Sequence, residues 1–249
     1  MNEPPKAVAI VQARMGSTRL PGKVLMDLGG KTVLERVVQR LRRSKLTLQI
    51  AVATTASEAD DALALECRRI GALCFRGSEL DVLDRYYRAA QEFEAETIVR
   101  TTADCPLIDP EIVDQTIDVF RKEHADYAAN DVPQTFPRGL DVEVFTMSSL
   151  ERAWYEAREP YQREHVTPYF YEHPEMFRIA TFLGEPDSAR YRWTLDTQDD
   201  LILLRAIYLR FQNADVFGCP DVLALMQREP ELVALNSRVL QKSLQRSEA

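Results

Sequence analysis

The run Gln12-Ala13-Arg14-Met15-Gly16-Ser17-Thr18-Arg19-Leu20-Pro21-Gly22-Lys23 packs three cations, two hydroxyl side chains and two glycines into one short loop. A polyphosphate needs that combination: backbone N–H groups free to approach closely, hydroxyl donors, and long cationic side chains that offset the phosphate charge. The run differs from both common phosphate loops. Five residues rather than four separate Gly16 from Gly22, and Val24 stands where a Walker-type loop has a Mg²⁺-binding Ser or Thr. No GxGxxG of the dinucleotide type is present in it either. A solvated basic turn has the same composition, so composition alone leaves both readings open.

Two acids are the next candidates. Asp104 follows the strand signal Glu96–Thr101 and precedes Cys105-Pro106, a turn that could hold a divalent cation over a sheet edge. Asp196 follows Arg192-Trp193-Thr194-Leu195 and precedes a helical pattern with Asp199 and Asp200. Either acid can equally be a turn or helix cap, as Asp109 before Pro110 is most simply read. The two acids are 92 positions apart, so their pairing is a tertiary claim that spacing does not establish.

Further candidates lie in the middle of the chain. Arg76 precedes Gly77 after a short strand, and either reaches a nucleotide or closes a surface turn. Asp141 and Glu143 alternate with Leu140, Val142 and Val144 and so share a strand face. That face is either an acceptor or metal site or simply the wet side of the strand. His165 between Glu164 and Val166 is either an acceptor contact or a structural hydrogen-bonder. Tyr161, Tyr169, Phe170 and Tyr171 recur at helical spacing, as expected of a core or dimer face.

The elements that must position these residues alternate. Ala7–Val11 reads as a strand buried on both faces. Val33–Leu41 reads as a helix, Leu48–Thr54 as a strand, and Ser57–Ile70 as a helix that Gly71 stops. Then follow strand Ala72–Phe75, helix Leu80–Ala95, strand Glu96–Thr101 and a helix from Pro110 to Lys122. This order predicts an α/β fold, an open, mostly parallel sheet with helices on both faces. Ligands of such sheets bind at the carboxyl ends of the strands, where the loops after Val11, Thr101 and Leu195 emerge. From about 126 to 185 the pattern changes, with an antiparallel or edge strand at Leu140–Phe145, helices at Ser148–Glu156 and Glu159–Glu172, and a strand near Phe177–Leu183. Arg192–Leu195 reads as a short strand, Asp199–Phe211 as a helix, and Pro220–Gln245 as helical with a break at Pro230. The chain of 249 residues is expected to be one domain, with 126–185 an inserted substrate or dimerisation portion.

Composition narrows the partners. Apolar residues make up 45% and charged residues 28%, as in ordinary globular proteins. A net charge of −8 argues against nucleic acid as a partner, since no net basic field faces a phosphate backbone. No apolar run approaches the roughly 20 residues of a membrane span. Met1–Lys6 holds Glu3 and two prolines and lacks the basic start of a secretory signal. Four scattered cysteines and three histidines fit neither a zinc nor a redox motif, so free thiols in a reducing cytoplasm are expected.

Taken together in order, these segments carry a resemblance. Ala13–Lys23 resembles the opening signature of the cytidylyltransferases that activate acidic sugars, the CMP-sialic acid and CMP-Kdo synthetase superfamily. Asp104 in Ala103-Asp104-Cys105-Pro106-Leu107 and Asp196 in Leu195-Asp196-Thr197-Gln198-Asp199 resemble that superfamily's two metal-binding aspartates. Phe75-Arg76-Gly77-Ser78-Glu79-Leu80-Asp81-Val82-Leu83-Asp84-Arg85-Tyr86, Pro137–Phe145 and Arg163-Glu164-His165-Val166-Thr167 are similar to the spore coat polysaccharide biosynthesis protein F type. The resemblance spans about residues 6 to 210. Val24 departs from it, since sialic acid synthetases usually carry Asn after the loop lysine.

The resemblance implies a Mg²⁺-dependent cytidylyltransferase that couples CTP to an acidic sugar for surface polysaccharide, releasing pyrophosphate, in a cytoplasmic homodimer. Arg14, Arg19 and Lys23 would hold the leaving phosphates. Ala13, Gly16, Ser17 and Thr18 would contact the nucleotide, as would Arg76 and Thr102. Asp104 and Asp196 would hold Mg²⁺, and Asp141, Glu143 and His165 would face the acceptor. A nucleotide-sugar-dependent glycosyltransferase and a non-catalytic nucleotide-binding protein are the alternatives. The absence of an Asp-x-Asp pair after Thr101 speaks against the first, and retention of all three loops against the second.

Overall fold

In the computed structural model, which describes residues 7–241, strand β1 (Ala7–Gln12) is buried along its first five residues. Its small and β-branched side chains carry no polar group until Gln12, so both faces can be covered. Ala7, Ala9 and Val11 enter one apolar core and Val8 and Ile10 the other, the period-two division a strand imposes. β1 pairs in parallel with β2 (Thr47–Thr55) and β4 (Thr97–Thr102), and β2 with β3 (Leu73–Gly77). Beyond β4 the direction reverses: β6 (Glu143–Thr146) is antiparallel to β4 and to β5 (Tyr127–Ala129), and β7 (Ile179–Thr181) runs parallel to β5. The seven strands lie in the order β3-β2-β1-β4-β6-β5-β7. This is the expected mostly parallel α/β sheet with an antiparallel portion.

Helices α1 (Val33–Leu41), α2 (Asp61–Ile70) and α4 (Pro110–Lys122) cover one face, with α8 (Gln198–Arg210) and α9 (Cys219–Arg228). Helix α3 (Val82–Glu92) covers the other, joined by α5 (Met147–Glu156) and α7 (Pro168–Glu172). Caps match the sequence signals: Asp109 accepts from the Glu111 amide at 2.8 Å, with Pro110 opening α4. Gly71 ends α2 at φ +64°.

Several elements differ from the reading above. The single helix expected over Glu159–Glu172 is two, α6 (Pro160–His165) and α7. Val166 at φ +72° and Pro168 at the start of α7 break it. β6 is not an edge strand, because β5, which the sequence reading missed, covers its far side. Arg192–Leu195 forms no strand. Only Arg192 bridges to Arg138, while the Leu195 amide donates to the Asp104 carbonyl at 2.8 Å, so this segment pairs with loops. After α10 (Glu231–Ala234) the chain is not helical, because Asn236 turns inward to donate to the Arg192 carbonyl and the Asp200 carboxylate. Met1–Lys6 and the end of the helix expected to reach Gln245 lie outside the described residues. No helix among the described residues is long and apolar enough to cross a membrane.

Gly139 shows how tightly the 192–196 segment is seated. It has φ +101°, and a Cβ there would come within 2.7 Å of Trp193 C and Thr194 N. Gly139→Ala is expected to destabilise the protein by about 1–3 kcal/mol, the cost of a non-glycine residue in such backbone. Urea denaturation tests this, and an unchanged midpoint would show that the two segments do not pack this closely.

Candidate active site

At the carboxyl ends of β1 and β4 a cleft of about 250 Å³ is walled by the Ala13–Lys23 loop on one side and by Thr102, Asp104 and Asp196 on the other. The loop closes on itself: the Ser17 and Gly22 amides donate to the Met15 carbonyl at 2.9 and 3.0 Å. Gly22 takes φ +70° and leads into a 3-10 turn, Lys23–Leu25. Val24, which stands where other phosphate loops place a hydroxyl, is 2% exposed and packs into the core. It anchors the turn and closes the floor of the cleft with an apolar side chain. Arg14, Gly16 and Thr18 lie on the exposed side of the loop, and Ala13 is buried beneath it.

The Lys23 ammonium is the meeting point. It donates to Asp104 Oδ2 at 2.6 Å and to Asp196 Oδ1 at 2.8 Å. Burial pulls the lysine pKa down, but attraction to Asp104 and Asp196 outweighs it and leaves the pKa above the ordinary value. Thr102 donates to the other Asp104 oxygen at 2.5 Å. The other Asp196 oxygen takes an ion pair from Arg19 at 2.8 Å and one from Arg192. Burial raises the Asp196 pKa, and Lys23, Arg19 and Arg192 more than reverse that, so it lies below the ordinary carboxylate value. Neither acid is a helix cap. Thr197 caps α8, and Asp200 accepts from the Asp196 and Thr197 amides at 2.9 Å. Both carboxylates therefore point into the cleft and converge on one cationic side chain instead of capping a helix.

Asp60 was missed as a site residue because its neighbours suggested only a helix start. It is 1% exposed and accepts four hydrogen bonds: from the Met15 amide at 2.7 Å, the Thr54 hydroxyl at 2.9 Å, the Thr55 amide at 3.1 Å and the Thr55 hydroxyl at 2.6 Å. Burial raises its pKa, and the bonds from Thr55, Met15 and Thr54 outweigh that and lower it. Asp60 thus ties the loop to the end of β2. Arg192 was also missed; nothing local marks a cation that acts on a carboxylate four residues later.

The middle-chain candidates form a second group beside the cleft. Glu143 is 4% exposed, so it is not on a wet face. It ion-pairs with Arg100 and accepts from the Tyr127 hydroxyl at 2.7 Å. Arg100 also reaches the Gln12 side chain at 3.5 Å, which links this group to β1. Asp141 accepts from Gln134 at 3.0 Å; burial raises its pKa. Burial, then Glu143 and Asp141, push the nearby Asp131 carboxyl well up. His165 is half-buried, and burial holds its pKa below the ordinary value.

Arg76 lies off the cleft wall: it ion-pairs with Asp61 at 2.6 Å and donates to the Thr55 and Ser57 carbonyls at 3.0 and 2.8 Å. Two of the motif segments instead lock onto each other. Arg163 donates to Asp81 at 2.9 Å, and Trp154 donates to Asp84 at 2.8 Å, which pins α5 and α6 to α3.

A self-closed phosphate loop facing two carboxylates at the carboxyl edge of this sheet defines a nucleotidyltransferase. Comparison with known proteins agrees: the chain belongs to the cytidylyltransferase family, whose model matches residues 8–212. It is 35% identical over 230 residues to the spore coat polysaccharide biosynthesis protein SpsF of Bacillus subtilis, covering 89% of this chain and 94% of that one. A cytidylyltransferase of Leptospira borgpetersenii serovar Hardjo-bovis superposes with a TM-score of 0.89 at 35% identity, over 96% of this chain and 100% of that one. A CMP:2-keto-3-deoxy-manno-octonic acid synthetase solved with CTP shares the fold, with a TM-score of 0.64 at 20% identity over 83% of this chain and 100% of that one.

Asp60→Asn puts an amide N–H where the carboxylate accepts, and is expected to cost about 1–3 kcal/mol at pH 7. A carboxylate with a lowered folded-state pKa stabilises above its unfolded pKa, and the gain is lost as pH falls through the folded value. The difference between variant and wild type should therefore shrink below about pH 4, the ordinary aspartate range. Urea denaturation at pH 7 and pH 3 checks both parts; a constant difference would remove the ionised carboxylate from the account.

Proposed function

We propose that the protein transfers CMP from CTP to an acidic sugar, with Mg²⁺, for surface polysaccharide synthesis. The observation that carries this reading is that one ammonium in the cleft, Lys23, reaches both Asp104 and Asp196 beside the phosphate loop. The donor chemistry fits Mg²⁺. Two carboxylate oxygens, Asp104 Oδ2 and Asp196 Oδ1, already converge on a single cation. Mg²⁺ characteristically takes one or two carboxylates and completes its shell with water and substrate phosphates. When bound, it would neutralise charge on the triphosphate and the attacking oxygen.

The chain's own residues supply the rest. Arg14, Arg19 and Lys23 hold the β- and γ-phosphates, while Ser17, Thr18 and the backbone at Ala13 and Gly16 position the α-phosphate side. Thr102 completes the nucleotide contacts, whereas Arg76, tied to Asp61 away from the cleft wall, is left out of them. Asp141, Glu143 and His165 meet the acceptor hydroxyls. The acceptor oxygen bonds to the α-phosphorus, the bond to the pyrophosphate oxygen breaks, and the hydroxyl proton leaves to solvent. Catalysis is then mostly positioning and charge stabilisation. Membership of the cytidylyltransferase family supports the nucleotide, and the likeness to a spore coat polysaccharide biosynthesis protein supports the pathway class. A cytoplasmic homodimer joined through 126–185 completes the proposal.

Pyrophosphate release is the direct test. Of the four ribonucleoside triphosphates, CTP alone is expected to release it, and only with an acidic sugar and Mg²⁺; release of a nucleoside diphosphate from a nucleotide sugar would instead make the protein a glycosyltransferase. Asp104→Asn and Asp196→Asn should each lower turnover, and the double variant should lose little more than the worse single one, since residues acting as a unit are non-additive. Turnover measured against Mg²⁺ concentration decides this, and strictly multiplicative losses would separate the two acids.

A further inference from the structure

The position of Lys23 has a consequence for the order in which ligands can bind. Its ammonium sits 2.6 Å from one carboxylate and 2.8 Å from the other, at the point where a cation shared by Asp104 and Asp196 would lie. The lysine is 8% exposed, and its backbone is fixed by the 3-10 turn and by buried Val24. Only the side chain can yield the place. Asp196 also carries Arg19 and Arg192, so three cationic side chains already face two carboxylates. A divalent ion arriving alone meets cations without a new anion. A triphosphate changes both terms: it adds negative charge, and it gives Lys23 and Arg19 other oxygens to bind.

We propose that Lys23 is a resident counter-ion that makes divalent-metal binding at Asp104 and Asp196 conditional on a polyphosphate. The inference rests on the reading of these two acids as the metal site. In the free protein the ammonium holds the two carboxylates together and keeps the site closed to the metal. When a nucleoside triphosphate enters, the ammonium swings from the carboxylates to the leaving phosphates and the metal takes its place. Lys23 then has two successive partners, and the metal enters with the nucleotide instead of before it. By linkage, the factor by which nucleotide raises metal affinity equals the factor by which metal raises nucleotide affinity.

The test reads Mn²⁺ binding by electron paramagnetic resonance on the full chain, so no turnover is involved. Wild type without nucleotide should bind Mn²⁺ weakly. Lys23→Met, which keeps the side-chain volume and removes the charge, should bind Mn²⁺ alone about 5–150-fold more tightly, the range of ordinary coupling between sites. Lys23→Arg keeps the charge and should stay weak. Lys23→Gln, which can still donate to the acids, should behave like Lys23→Met and serves if that variant does not fold.

Equal Mn²⁺ affinity in wild type and both neutral variants, abolished in each by Asp104→Asn, would overturn the counter-ion role while leaving the metal site standing. A different result would fell the metal-site reading itself: Mn²⁺ binding in the presence of a non-hydrolysable CTP analogue that is unchanged by Asp104→Asn and Asp196→Asn.

Discussion

Two carboxylates held on one ammonium organise this molecule. Asp104 and Asp196 repel each other, and Lys23, 81 positions from the first and 173 from the second, is what lets them face the same point. Each arm of that triad is fixed by a different means. Asp104 follows the end of β4, and Thr102 turns its carboxylate. Asp196 has no strand beneath it; the Leu195 amide on the Asp104 carbonyl and the Trp193 amide on the Arg138 carbonyl, at 2.8 and 2.7 Å, hold its segment against the loops. Lys23 is held by a turn whose apolar anchor is Val24. The residue that makes the loop unlike a Walker motif is thus the one that fixes its lysine.

The two halves of the sheet divide the work. The parallel half, β3-β2-β1-β4, brings strand ends and their loops to one edge, where cations dominate: Arg14, Arg19 and Lys23 from the first loop. Asp60 secures that loop from below by accepting the Met15 amide, so a buried anion lies under a basic loop. The antiparallel half begins where β6 joins β4. There the Arg100–Glu143 pair and the Tyr127 hydroxyl replace backbone loops as the source of polar groups. Gln12 touches both halves, ending β1 and meeting Arg100.

Much of the parallel half was legible in the sequence because its signals are local. A run such as Ala7–Val11 has no alternative to a doubly covered strand, and Asp109-Pro110 and Gly71 mark helix ends through their own backbone preferences. That the Ala13–Lys23 loop lines the cleft was legible for the same reason, since its cations, hydroxyls and glycines are contiguous. What escaped depends on distant partners. Tyr127–Ala129 is too short to show a period, and only its pairing with β6 and β7 makes it a strand. Arg192–Leu195 has the composition of a strand, but its amides find loop carbonyls. The break at Val166 needs a positive φ that no β-branched residue advertises. Asp60 and Arg192 act on the site across the fold or across a turn, and their local neighbourhoods suggested only a helix start and a strand.

The charge pattern gives the chemistry a direction. The chain is acidic overall, at −8, so attraction of a triphosphate depends on where the cations sit and not on net charge. They converge on the loop side, and their count exceeds what Asp104 and Asp196 need, leaving Arg14 with no ion pair among the described residues. On the β6 side acids gather instead: Glu143 ion-pairs with Arg100, and burial pushes the nearby Asp131 and Asp141 carboxyls up. A polyanion is drawn to the first side and repelled from the second. The two sides thus present opposite charge, joined through Gln12, which ends β1 and meets Arg100.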